Sequence, residues 1–80
     1  MGRTARVKPT TRGGKELWDY IVEHFDGNQT QFALSVDMTH GYLNHILMGR
    51  KTPSLDLAAK LERVAGVPCI AWTEPAAEAA

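Results

Sequence analysis

The sequence has 80 residues, of which 44% are hydrophobic and 22% are charged, and its formal net charge is zero. This length allows one small domain, and no apolar run approaches the roughly 20 residues that a membrane span needs. The single cysteine, Cys69, excludes an internal disulfide and is typical of a protein of the reducing cytoplasm. The sequence pairs no nucleophile with a base and has no glycine-rich phosphate loop, so an enzyme is the least expected class and we expect no cofactor.

The N-terminal residues 1–13 are basic and poor in apolar side chains. A segment of this composition cannot bury enough surface to order itself, which predicts a flexible arm. Its cations are expected to contact phosphate backbones, although a solubilising tail would have the same composition. The folded domain is predicted over 14–73, followed by a frayed tail rich in Ala and Glu over 74–80. The basic residues of the arm are Arg3, Arg6, Lys8 and Arg12.

The first two helices follow from apolar spacing and from helix-capping residues. A helix is predicted from about residue 14 to Phe25, where apolar residues recur at four-residue spacing. Asp26-Gly27 then breaks the pattern, because glycine suits a helix C-terminus. Asn28 is a good N-cap for a short second helix that ends near residue 36. The apolar face of the first helix comprises Leu17, Trp18, Ile21, Val22 and Phe25, and the buried stripe of the second comprises Phe32, Ala33 and Val36.

Two further helices and a short last turn complete the chain. Thr39 is predicted to cap a third helix that runs to about Met48, and Gly49 ends it before a basic loop. Ser54 caps a fourth helix that Gly66 ends, and Pro68 opens a short turn or helix. The predicted fold class is therefore all-α, with four helices plus a short fifth. The inward residues are expected to be Leu43, Ile46, Leu47, Leu55, Ala58, Leu61, Val64, Ala65 and Trp72, and the short last turn also carries Ile70.

The stretch NQTQFALSVDMTHGYLNHILMGRKTPSL, residues 28–55, resembles the helix-turn-helix of the Cro and lambda-repressor type, the XRE family, as found in phage and prophage proteins. Phe32-Ala33 falls on the apolar–Ala pair that packs against the recognition helix, and Met38-Thr39 falls on the residues that open that helix. The resemblance covers roughly residues 14–73 and implies a lambda-repressor-like fold. One departure is Asp37, where the family usually has glycine; a left-handed conformation is expected there, and Asp tolerates it better than most residues.

The resemblance also implies which residues face DNA. The outward face of the third helix would contain Thr39, His40, Gly41, Tyr42, Asn44 and His45, of which His40, Gly41, Asn44 and His45 would read bases. Gln29 would bind phosphate at a helix N-terminus, and Arg50 and Lys51 would extend the phosphate contacts. The two histidines could instead be plain surface residues, Gly41 could mark a weak first turn, and Tyr42 could pack on a neighbouring helix. His40 and His45 are five residues apart, a poor spacing for a shared metal, so we expect no metal site.

These features predict a sequence-specific transcriptional regulator, most like a Cro-type repressor, that binds double-stranded DNA. A near-palindromic operator and a homodimer are expected, with the dimer surface around Ile70 and Trp72. One alternative is an antitoxin, which binds both its operator and a toxin protein. Another is a protein-interaction module that has kept the fold and lost DNA binding.

Overall fold

The computed structural model describes residues 8–75, and it confirms the all-α fold. Within this range the only β pairing is an isolated bridge between Thr11 and Pro75. No helix in the described range is long and apolar enough to cross a membrane. The helices are α1 (Arg12–Phe25), α2 (Gln29–Ser35), α3 (His40–Leu47), α4 (Leu55–Ala65) and a final 3₁₀ helix (Cys69–Thr73).

Each α-helix begins after a side chain that accepts a hydrogen bond from a backbone N–H three residues later. Such a cap satisfies one of the unpaired amides of the first turn and contributes about 1 kcal/mol. The sequence predicted three of the four caps but started α1 near residue 14, whereas the helix begins at Arg12. The four N-caps are Thr11, Asn28, Thr39 and Ser54.

The core lies where α1, α2 and α3 meet α4 and the 3₁₀ helix. Most of the residues predicted to be buried are buried, but Leu55 is 80% exposed, and Val22 and Val64 are each 42% exposed. At about 100° per residue, Leu55 lies about 120° around α4 from the buried Leu61, and Val64 lies about 60° from it. Leu55 therefore faces solvent, and Val64 lies at the margin of the buried stripe.

The last turn confirms one prediction and corrects another. Trp72 is 5% exposed, as expected for a core residue, so it is not part of the dimer surface that was also expected around it, whereas Ile70 is 60% exposed. The indole of Trp72 covers Gly13 so closely that a Cβ on Gly13 would lie 2.5 Å from the ring. Only glycine allows this approach, so Gly13 lets the last turn of the domain pack closely against the start of α1.

The N-terminal boundary of the domain lies earlier than the sequence suggested. The Thr10 hydroxyl donates to the Met48 carbonyl at 3.1 Å, and the Arg12 amide donates to the Glu74 carbonyl at 2.7 Å. Residues 10–13 are thus part of the folded domain and not of a flexible arm, and the chain stays attached to it as far as Pro75. The rest of the predicted arm, residues 1–7, and of the predicted tail, residues 76–80, lie outside the described residues.

Replacing Gly13 with alanine is expected to destabilise the domain, although alanine is the better helix former. The new Cβ would overlap the buried ring of Trp72, and relieving such an overlap costs about 1–3 kcal/mol. Gly41→Ala is the matched control, because a Cβ there meets nothing within 4 Å. It should stabilise the domain by about 0.5–1 kcal/mol. Urea denaturation of both variants tests this, and equal stabilisation by the two would contradict the packing.

Candidate nucleic-acid interface

A tight turn sets the angle between α2 and α3. It places Asp37 in the left-handed region, with φ of 59°, as the sequence predicted for this position. The Met38 amide donates to the Ala33 carbonyl at 2.9 Å, which closes the turn. Ala33 is buried and lies in the same core cluster as Leu43, so the two helices are fixed as one unit. A pair of short helices packed in this way is the geometry that presents one helix to a DNA groove.

The outer surface of α3 holds the residues that the sequence singled out. His40 and Gly41 are exposed, and Asn44 and His45 are partly exposed. Thr39 is exposed, and its hydroxyl accepts the Tyr42 amide hydrogen at 3.1 Å, so its oxygen caps the helix. The opposite side of the helix is fully buried through Leu43, Ile46 and Leu47.

Gln29, the first residue of α2, contacts His40, the first residue of α3, with 3.1 Å between His40 Nε2 and Gln29 Oε1. The sequence predicted both residues at the interface but did not predict this contact, because they are eleven positions apart. Together with Glu23 and Asp26 they line an open polar groove of about 840 Å³. The two carboxylates make this end of the interface less attractive to phosphate than the other end.

Tyr42 lies at the edge of the interface and not at its centre. The ring is half-buried and packs against the core. It also lines a groove of about 450 Å³ between α3 and α4, together with Leu57 and Lys60. This placement agrees with the alternative in which Tyr42 packs on a neighbouring helix.

The basic loop after α3 is fixed to the end of that helix. The His45 carbonyl accepts hydrogen bonds from the amides of Arg50 at 2.8 Å and Lys51 at 3.3 Å. Both side chains are exposed, and Gly49 turns the chain with φ of 81°. A Cβ on Gly49 would collide with the Thr10 hydroxyl, so the start of the described chain lies directly beside this loop.

The basic residues expected in the arm divide into three cases. Lys8 is exposed and precedes Thr10 by two positions, which brings it near the loop. Arg3 and Arg6 lie outside the described residues. The Arg12 guanidinium is paired with Glu74 at 2.8 Å and with Glu16 at 2.7 Å, and hydrogen bonds to these carboxylates raise its pKa. Arg12 therefore belongs to the framework of the domain and not to the predicted phosphate contacts.

Cys69 lies in the 3₁₀ helix, away from this surface, and its Sγ is 3.5 Å from the Glu62 carboxylate. Burial, together with this carboxylate, raises the pKa of the Cys69 thiol. A thiol with a raised pKa stays protonated and is a weak nucleophile.

Residues 21–71, more than half of the chain, match the model of a family described as helix-turn-helix. The chain belongs to the XRE-type helix-turn-helix family. Membership in this family implies binding to double-stranded DNA and a role in transcription regulation. No curated protein and no solved structure matches the chain significantly.

Arg12 and Arg50 should behave differently when each is replaced by glutamine. An exposed arginine that neutralises one phosphate adds about −0.9 to the slope of log affinity against log salt. Arg50→Gln should therefore flatten the slope by about that amount. Arg12→Gln should leave the slope unchanged and lower the melting temperature only slightly, because its ion pairs are exposed. Titrations of a fluorescent duplex at several salt concentrations test this. A flatter slope for Arg12→Gln would place its guanidinium on DNA after all.

Proposed function

We propose that this protein is a sequence-specific transcriptional regulator of the Cro type, a phage-like repressor that acts in the cytoplasm as a homodimer. The observation that carries the proposal is the division of α3 into a fully buried inner side and an outer side of polar, hydrogen-bonding residues. A helix of this kind fits the major groove, which is about 12 Å wide and displays a distinct pattern of donors and acceptors for each base pair.

Base reading is assigned to the outer side of α3. Asn44 carries a donor and an acceptor on one amide, which allows a bidentate contact to adenine. Gly41 supports close approach, because a Cβ at this position meets nothing within 4 Å in the chain itself. Packing within the domain does not require glycine here, whereas a nearby base or phosphate would. His40 and His45 complete the reading surface on either side of Asn44.

Phosphate contacts are assigned to Gln29 at one end of α3 and to the basic loop at the other. Arg50 and Lys51 are exposed there, and the hydrogen bond from Thr10 to Met48 brings the chain that carries Lys8 to the same end. Arg3 and Arg6 are assigned further phosphate contacts, because they belong to the same basic segment of the sequence as Lys8.

A homodimer is proposed because one small domain makes few contacts with DNA, and two-fold pairs of such domains read two half-sites. With Trp72 in the core, the dimer surface is assigned to the apolar side chain that remains at the last turn, Ile70, which is 60% exposed. Two copies would then present their α3 helices to successive turns of the major groove.

Selection of bound duplexes from a random pool tests the proposed function. We expect enrichment of a near-palindrome whose half-sites lie about 34 Å apart, one turn of DNA, or a multiple of that spacing. Gly41→Ala is the informative variant, since it should fold with equal or greater stability yet lose affinity for the selected site. The proposal fails if the wild-type chain enriches no sequence, or if Gly41→Ala binds as tightly as the wild type.

Deletion of residues 2–7 tests the arm without disturbing the anchored residues that follow it. The truncated chain keeps Thr10 and its bond to Met48, so the melting temperature should not change. Loss of Arg3 and Arg6 should weaken operator binding by about tenfold or more at moderate salt, because two phosphate contacts per subunit are removed. Unchanged affinity would show that residues 2–7 are only a solubilising tail.

A further inference from the structure

The two histidines of α3 differ in which ring nitrogen is in contact with the rest of the domain. In His40, Nε2 contacts Gln29, and in His45, Nδ1 is enclosed. We propose that neutral His40 presents a hydrogen-bond acceptor to the DNA groove and that neutral His45 presents a donor, so that the two select opposite base edges. This assignment rests on the proposed function and specifies the chemistry of its recognition surface. It follows from one contact at His40 and one enclosed atom at His45.

At His40, the partner determines where the proton is. Gln29 Oε1 lies 3.1 Å from Nε2, and an amide oxygen can only accept a hydrogen bond. The proton of the neutral ring is therefore on Nε2, where it donates to Gln29. Nδ1 then carries only a lone pair, and His40 is exposed, so the nitrogen available to a ligand is an acceptor.

At His45, burial determines where the proton is. Among the described residues Nδ1 has no hydrogen-bond partner, and it is enclosed, whereas Nε2 is not. A proton on Nδ1 would leave a buried N–H without an acceptor, which structures rarely tolerate. The proton of the neutral ring is therefore on Nε2, the ring nitrogen that the domain does not enclose. His45 accordingly offers a donor.

A hydrogen-bond acceptor at His40 and a donor at His45 prefer different bases in the major groove. An acceptor pairs with the exocyclic amino group of adenine or cytosine, whereas a donor pairs with N7 or O6 of guanine, N7 of adenine or O4 of thymine. His40 and His45 are separated by about 7.5 Å along the helix, so they contact different base pairs. We expect adenine or cytosine opposite His40 and a base with a groove acceptor, guanine above all, opposite His45.

The first experiment measures the proton positions directly in the free, full-length chain. Two-bond ¹H–¹⁵N correlations of the histidine rings, recorded near pH 8, show which nitrogen of each neutral ring is protonated. We expect Nε2 to be protonated in both rings. In Gln29→Ala, His40 should move measurably toward a mixture of the two tautomers, while His45 should not change. A proton on Nδ1 of His40 or His45 in the wild type overturns the proposal.

The second experiment repeats the duplex selection with three variants. His40→Ala identifies the base pair that His40 contacts, because the preference there should be lost. His40→Lys replaces the acceptor with a donor and should switch that position from adenine or cytosine to guanine, by about fivefold or more. His24→Gln is the matched control, since His24 is exposed on α1 and lines the same polar groove as His40. Its selected site should be that of the wild type.

The outcomes separate this assignment from the proposed function. If the wild type selects a site but His40→Lys keeps the preference for adenine or cytosine, the assignment of His40 as an acceptor is wrong. The proposed function as a transcriptional regulator would still hold. If the wild type selects no site, both proposals fail together. A switch to guanine in His40→Lys, with no change in His24→Gln, supports the assignment.

Discussion

Leu43, Ile46 and Leu47 anchor α3 in the core, and the rest of the interface depends on this burial. All three side chains are fully enclosed, and burial of a side chain of this size stabilises a fold by about 1.5–3 kcal/mol. In a domain of this length, such a contribution is a large part of the total stability. Because three apolar residues on one side of an eight-residue helix are fixed inward, the polar residues between them must face outward.

The two ends of α3 are held in different ways, and each kind of anchor shapes the surface beside it. At the N-terminus, the Thr39 cap fixes the first turn, and the contact with Gln29 ties His40 to α2. At the C-terminus, Gly49 follows the helix in a left-handed conformation, and the Met48 carbonyl accepts a hydrogen bond from the Thr10 hydroxyl. The first end is bordered by carboxylates and the second by exposed cations, so the charge along the interface is uneven although the whole chain is neutral.

The charges of α1 show how a neutral chain can still bind a polyanion. Lys15 pairs with Asp19 at 3.0 Å, and Arg12 pairs with Glu16 and Glu74, so both cations of this helix are paired with carboxylates. Pairs as exposed as these contribute little to stability. Their effect is that carboxylates neutralise the cations of α1. Arg50 and Lys51 lie on the loop after α3, apart from these ion pairs.

The sequence by itself determined the order of the helices, most of the core and the outward set on α3. These follow from local rules, since apolar spacing, N-capping side chains and glycines at helix C-termini act within one or two turns of the chain. Asp37 is an example, because its left-handed conformation could be expected from its place in the motif. The resemblance to the XRE family then supplied the roles of the outward residues, which spacing alone could not assign.

Only the tertiary structure decided the contacts between residues that are distant in the chain. Arg12 resembled the other cations of the arm until Glu74, 62 positions away, was placed beside it. Gly13 fell within the predicted flexible arm, but the ring of Trp72 requires a glycine there. The partner of His40 is eleven positions away on another helix. A sequence pattern reports which face of a helix is apolar. It does not report which side chain of another element lies opposite a given residue, because packing of the whole chain determines that.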